Sequence, residues 1–256
     1  MEPVKVTTER GVMTATLADV DNRNALGLDL IAGLRDALAA ANAEPAVRAL
    51  VVTNEGTTFC AGANLKERSK AKTMGSGSGG LEELLGEIQT SPTPVVGRIA
   101  GHVVGGGVGL ASALDISIAA ADVKFGFTEV RLGVAPAIIS VICLPKMRRG
   151  EAMEAFLRGN RFPASHAAEL GLINRAVPAA ELDAAVEEVL ADLRKGGPNA
   201  LGFAKSLVYE VPRMEQADAF QWASRLSGKL FTGEEAKEGM GAFLGKRKPI
   251  WAEEPE

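Results

Sequence analysis

The sequence predicts an α/β fold, with strands and helices alternating through the first half of the chain and helices filling most of the second. Three observations carry this. Short runs of alternating or β-branched apolar residues recur between amphipathic stretches as far as Gly126. From Gly150 onward the spacing is helical almost throughout, with LINRAV as the one late strand. Hydrophobic residues make up 46% of the chain and aromatic residues only 5%, so alanine, valine, leucine and glycine must do most of the packing.

The elements follow in order. VKVTT and VMTATL, separated by the turn ERG, read as a hairpin, and DNRNALGLD as a turn-rich connection. Leu30, Leu34, Leu38 and Ala41 recur at three- and four-residue steps and predict a helix ending near Pro45. VRALVVTN is a strand. After the loop EGTTFCAGANLKE comes KAKTMGSGSGG, in which Gly75, Gly77 and Gly80 match G-x-G-x-x-G by spacing alone. No strand precedes them, so this stretch reads as a mobile loop or lid rather than a dinucleotide site. LEELLGEIQ is a short helix, PTPVVGRIAG a strand with proline at its entry, GGGVGLASAL a helix, and DISIAA and VKFGF are strands. Six helical stretches follow, from EAMEAFLRG to EEAKEGMGAFLGK, and Thr232 with Glu235 has the form of a capping box.

Composition narrows the function. A net charge of −4 over 256 residues argues against nucleic-acid binding, which rests on a basic surface. Cys60 and Cys143 form at most one bridge, and no cysteine and histidine pattern has metal-ligand spacing, so free packing thiols in a reducing compartment are expected. MEPVKVTTERGV lacks the pattern of an export signal, which points to the cytoplasm. The apolar run from Ile99 to Asp115 is too short to span a membrane and contains His102.

The run GHVVGGGVGLASALD gives up side-chain burial and backbone entropy where a strand ends and a helix begins. A helix start carries N–H groups without intrahelical partners, and glycine lets an anionic atom approach them. Close helix packing is the competing reason for such glycines. FCAGANLKE repeats the logic: Ala61, Gly62 and Ala63 are small, and Asn64 opens a helical turn carrying Lys66. Two such turns can aim two N–H groups at one carbonyl oxygen.

FCAGANLKE followed by GHVVGGGVGLASALDISIAAADVKFGFTEVRLGV resembles the two signature blocks of the crotonase, or enoyl-CoA hydratase/isomerase, family, and the likeness runs from RNAL to FLGKRKP. The resemblance implies a crotonase-like spiral of strand-strand-helix repeats with a helical C-terminal trimerisation region. We place the spiral core and its acyl-CoA site in residues 1–195 and the C-terminal helical region in 196–256. It implies an acyl-CoA thioester as substrate, CoA arriving with it rather than as a cofactor, no metal, and a homotrimer or a hexamer of paired trimers.

Carried over by position, the N–H groups of Ala63 and Gly106 would bind the thioester oxygen, and Glu129 would be the catalytic acid/base. Arg23, Ala25, Ala61, Gly62, Asn64, Leu65, Lys66, Gly105 and Gly109 would line the substrate, with Phe243 and Lys246 reaching a CoA in the adjacent subunit. Phe125, Phe127 and Val130 would desolvate Glu129 and raise its pKa.

Two positions depart from the family pattern. Hydratases of the family carry a second glutamate where this chain has Gly109, and often an aspartate where it has Asn64. Gly109 leaves one carboxylate and is expected to enlarge the acyl end of the pocket. From the breadth of the family it resembles, enoyl-CoA hydration is the first expectation, with double-bond isomerisation or a hydratase-lyase reaction, which need only the single glutamate, as alternatives. An acyl-CoA-binding subunit without catalysis is a further one. His102 and His166 have no nucleophile beside them, Asp115 is expected to tether backbone, and Tyr209 to sit at a subunit contact. GKRK reads as either a solvated tail or a contact to a CoA phosphate, with the tail preferred.

Overall fold

A computed structural model describes residues 2–70 and 80–252. The hairpin β1 (Val4–Glu9) and β2 (Val12–Leu17) opens the chain, followed by helix α1 (Leu28–Ala43). Next come β3 (Ala49–Asn54), β4 (Thr58–Cys60), α2 (Leu65–Lys70) and α3 (Leu81–Thr90). The pattern then repeats with β5 (Val95–Ile99), β6 (His102–Val104) and α4 (Gly106–Ala113), and again with β7 (Ile116–Ala120), β8 (Lys124–Gly126) and, after a 3-10 turn, α5 (Ala137–Cys143). Beyond it lie α6 (Arg149–Arg158), β9 (Phe162–Pro163), α7 (Ala164–Glu169) and β10 (Arg175–Val177). Helices α8 (Leu182–Lys195), α9 (Pro198–Glu210), α10 (Gln216–Thr232) and α11 (Glu234–Leu244) complete the molecule.

Successive repeats deal their strands to two sheets. The larger sheet has the order β1-β2-β3-β5-β7-β10 and the smaller β4-β6-β8-β9. Each repeat thus gives its first strand to one sheet and its second to the other, which winds the chain into a spiral. Pairing from β2 through β10 in the larger sheet is parallel, as is β4 to β6 to β8 in the smaller. Parallel strands need both faces covered, and β3 is accordingly buried along its whole length. The short strand β4 lies within the segment read as a loop, and β6 within the apolar run that leads into α4.

Phe59, Phe125, Phe127, Leu50, Ile99, Leu110 and Ile118 are among the largest side chains fully removed from water, so the core lies between the sheets and the helices of the spiral. Helices α9 and α10 contain no fully buried residue, and Val208, Phe220, Phe231, Phe243 and Leu244 stand two-thirds or more exposed on the C-terminal helices. One expectation fails here. Thr232 ends α10, where its hydroxyl donates back to the carbonyls of Gly228 and Lys229, so there is no capping box at α11. Glu235 instead reaches across to α9 and accepts from the N–H groups of Asn199 and Ala200. A carboxylate at a helix start is favourable whichever helix it caps, and sequence spacing reveals only the local option.

Candidate active site

The parallel order β4-β6-β8 places three loops side by side. Each strand runs in the same direction, neighbours lie about 4.8 Å apart, and the chain leaves each at the same edge. Ala63 follows β4, Gly105 and Gly106 follow β6, and Glu129 follows β8. Segments some forty and some twenty residues apart in sequence are thereby brought together at the C-terminal ends of parallel strands, the usual place for a ligand in α/β sheets.

The first loop is held by the segment before α1. Leu26 donates to the Gly62 carbonyl at 2.7 Å, and its own carbonyl accepts from Asn64 at 3.3 Å. In such a parallel bridge, Leu26 to Ala63, the bonds flank the bridged residue, so the N–H of Ala63 points away from Leu26. Asn64 then caps α2, its side-chain oxygen accepting from the N–H groups of Lys66 and Glu67 at 3.2 and 3.3 Å. Asn24, which sequence reading passed over, is fully buried at a φ of 52°, and its amide donates to the Thr58 carbonyl at 2.8 Å. It pins this segment against β4, and the tolerance of asparagine for positive φ was the available signal.

The second loop turns on Gly105, whose φ of 56° and ψ of −131° exclude other residues. Its N–H is used, donating to the Gly126 carbonyl at 2.9 Å, which ties the loop to β8. Gly106 then begins α4 with a free N–H. Neither the Ala63 nor the Gly106 N–H donates to any described residue. Gly62 lets them approach: at a φ of 84°, a β-carbon there would lie 3.0 Å from the Gly106 nitrogen. A β-carbon on Gly106 would in turn lie 3.7 Å from the Ala63 nitrogen.

Glu129 opens the 3-10 turn Glu129–Leu132 beside this pair. Its Oε1 would be 3.5 Å from a β-carbon on Gly105, and its Oε2 is buried without a hydrogen-bond partner among the described residues. Burial raises its pKa above the ordinary carboxylate range. Of the three apolar neighbours expected to desolvate it, Phe125 and Phe127 are fully buried and Val130 is 37% exposed. Two unused N–H donors and a half-buried carboxylic acid thus share one spot, an arrangement able to steady a developing oxyanion and move a proton.

Comparison with known proteins decides the family. The chain matches the enoyl-CoA hydratase/isomerase family over residues 7–254. It belongs to that family. A putative enoyl-CoA hydratase of Thermus thermophilus is 32% identical over 250 residues, covering 95% of this chain and 99% of the relative. A crotonyl-CoA hydratase of Syntrophomonas wolfei is 31% identical, with 88% of each chain covered. The solved structure of Pseudomonas aeruginosa AtuE superposes with a TM-score of 0.92 at 34% identity, over 98% of this chain and 100% of that one. The fold is therefore that of the crotonase-type hydratases, a mixed α/β core with a helical C-terminal region.

The other positions singled out by the family resemblance divide into near and far. Ala61 donates to the Arg23 carbonyl at 3.1 Å, Ala25 is buried beside it, and Lys66 reaches Asn22 at 3.0 Å, while Leu65 projects into solvent. These sit along the first loop. Phe243, on α11, and Lys246, just after it, are exposed, and α11 packs on α10.

Gly109 requires a correction. Its missing side chain does not enlarge a pocket, because Ile139 of α5 fills the space: a β-carbon on Gly109 would stand 2.6 Å from the Ile139 β-carbon. Glycine here serves close helix packing. Much of the expected lid, residues 71–79, lies outside the described residues.

The lesser candidates have structural work. The His102 Nδ1 accepts from the Lys124 N–H at 3.1 Å, and His166 pairs with Glu169 at 2.9 Å. Asp115 tethers backbone as expected, accepting from the Val95 N–H at 2.7 Å, but also pairs with Lys205. Tyr209 is partly buried in its own chain, within hydrogen-bonding reach of Gln89. Arg247 of the GKRK tail is held by Glu238 at 2.6 Å. Cys60 and Cys143 are free and buried, their thiols pushed up to about 12 by desolvation. Among the described residues no helix is long and apolar enough to cross a membrane.

Proposed function

We propose that this chain hydrates a 2-enoyl-CoA thioester, with the Ala63 and Gly106 N–H groups as oxyanion donors and Glu129 as the only carboxylate acid/base. The observation that carries this is the meeting of two amides and a buried carboxylate oxygen that have no partner among the described residues. The names of the relatives favour hydration. In that reaction a water oxygen bonds to C3 while Glu129 takes its proton, and the C2=C3 pair shifts so that negative charge gathers on the thioester oxygen. Collapse of the enolate returns the proton from Glu129 to C2. Donors fixed where the charge develops favour the transition state over the ground state, and losing one costs about 2.7 to 4 kcal/mol in comparable sites.

A raised pKa suits Glu129 to both halves of the cycle, since the same group must accept and then donate. Arg23, Ala25, Ala61, Gly62, Asn64, Leu65, Lys66 and Gly105 would line the CoA portion. The exposed apolar side chains of the C-terminal helices, Phe220, Phe231 and Phe243 among them, support association into trimers or paired trimers, with Phe243 and Lys246 then facing a neighbouring site. CoA enters as part of the substrate, and a cytoplasmic setting fits the free thiols. A second reading, double-bond isomerisation through Glu129 alone, is favoured by the apolar filling at Gly109.

Steady-state turnover of a trans-2-enoyl-CoA and of a 3-enoyl-CoA by wild type and Glu129→Gln tests the proposal. Hydration should fall by about 10²- to 10⁴-fold in the variant with CoA binding retained. Unchanged turnover in Glu129→Gln would remove the assignment, and retained CoA binding with no turnover by wild type would support a binding subunit instead.

A further inference from the structure

Gly105, the residue that caps α4, and Gly109, within its first turn, meet opposite chemistry. Beyond Gly105 is the Glu129 carboxylate, while against Gly109 is Ile139. A β-carbon on Gly109 would meet the Cγ2 of Ile139, would stand 2.6 Å from its Cβ and would lie 3.5 Å from its Cα. The atoms in the way belong to the branch point of a side chain that has one strongly preferred χ1 in a helix, so it cannot swing aside. Ile139 is also 2% exposed, packed on all sides. The space beside Gly109 is therefore filled by the hydrocarbon of Ile139. The Ile139 side chain itself offers no polar atom to hold a water, and it leaves no room for an acid at position 109.

That wall bears differently on two reactions open to a single carboxylate. Hydration needs a water fixed with its oxygen aimed at C3. A double-bond shift needs none: Glu129 removes a proton from C2 of a 3-enoyl thioester, and the C–H pair forms C1=C2 as the carbonyl pair moves onto oxygen. When the carbonyl re-forms, C2=C3 is made and the C3=C4 pair takes the proton from Glu129 at C4. No atom is gained or lost, and a dry wall protects the proton in transit.

We propose that Ile139 is a specificity-determining residue of this site, setting the partition between hydration and double-bond shift by keeping water and any second carboxylate from that side of Glu129. This rests on the proposed role of Glu129. The test compares the ratio of trans-2-enoyl-CoA hydration to 3-enoyl-CoA isomerisation in wild type, Ile139→Ala, Ile139→Val, Gly109→Glu/Ile139→Ala and Glu129→Gln.

The ratio should rise about tenfold or more in Ile139→Ala and in the double variant, and in the same direction but less in Ile139→Val. Gly109→Glu alone should lower Tm, and Ile139→Ala should restore part of that loss. If Ile139→Ala does not fold, Ile139→Val carries the test. A ratio within about twofold of wild type in every folded Ile139 variant, with both reactions lost in Glu129→Gln, overturns the role of Ile139 and leaves that of Glu129 standing. Both reactions surviving in Glu129→Gln overturns the two together.

Discussion

The Lys205 Nζ sits 2.7 Å from the Asp115 Oδ2, with only 8% and 14% of the two side chains left to solvent. Lys205 also donates to the Ile88 carbonyl at 2.6 Å, so one ammonium joins α9 to α3 and to the segment that follows α4. Burial lowers the lysine pKa and raises that of the aspartate, while each partner opposes the shift of the other. Replacing Lys205 with Met strands a buried carboxylate, which typically costs about 3 to 5 kcal/mol. Chemical denaturation should show that loss, and the double replacement Asp115→Asn/Lys205→Met should recover part of it.

Gly62 should tolerate no side chain. A β-carbon there would lie 3.0 Å from both the Gly106 nitrogen and the Val104 carbonyl oxygen, at a φ of 84°. Backbone cannot yield as a flexible side chain would, so Gly62→Ala should spread the two amides apart. A displacement of about 1 Å at a reacting centre is worth roughly 10² in rate. We expect kcat to fall by about that factor while circular dichroism stays that of the wild type.

Glu129 should make stability depend on pH in a predictable sense. Its folded pKa is raised by burial, so the neutral form is the better accommodated one. Its contribution is present in full below the unfolded pKa and is lost as pH rises through the folded value. Glu129→Gln should therefore raise Tm at about pH 7, and the gain should disappear near about pH 4. An equal gain at both pH values would point to packing rather than titration.

Glu235 should matter to α9 rather than to its own helix. Its carboxylate accepts from Asn199 at 3.0 Å and Ala200 at 2.8 Å, and the Asn199 side chain adds a bond of 3.0 Å to the same group. Glu235→Ala should cost about 0.5 to 2 kcal/mol, and hydrogen exchange should quicken in the first turn of α9.

How much of this was legible beforehand depends on the range of the interaction. The hairpin, α1 and α4 follow from periodicity and turn chemistry, because the signals that specify them lie within a few residues. The glycine-bearing turns at Gly62 and Gly105 were readable for the same reason, since positive φ is a local demand. The three-residue strand β6 was not, because it lies inside an apolar run read as one unit with α4, while β8 and β10, equally short, stood out by their own apolar runs. Ile139 and Lys205 were invisible for a stronger reason: each is an unremarkable residue on a helix until the fold places it against Gly109 or Asp115. The same long range misled the reading of Gly109 as added space and of Thr232 as a cap.

A structure of the protein with a non-reactive acyl-CoA thioester bound tests the central claim most directly. The account predicts the thioester oxygen at about 3 Å from the nitrogens of both Ala63 and Gly106, with a Glu129 oxygen within reach of C2. A thioester oxygen bonded elsewhere, or Glu129 turned away from the acyl chain, would contradict it.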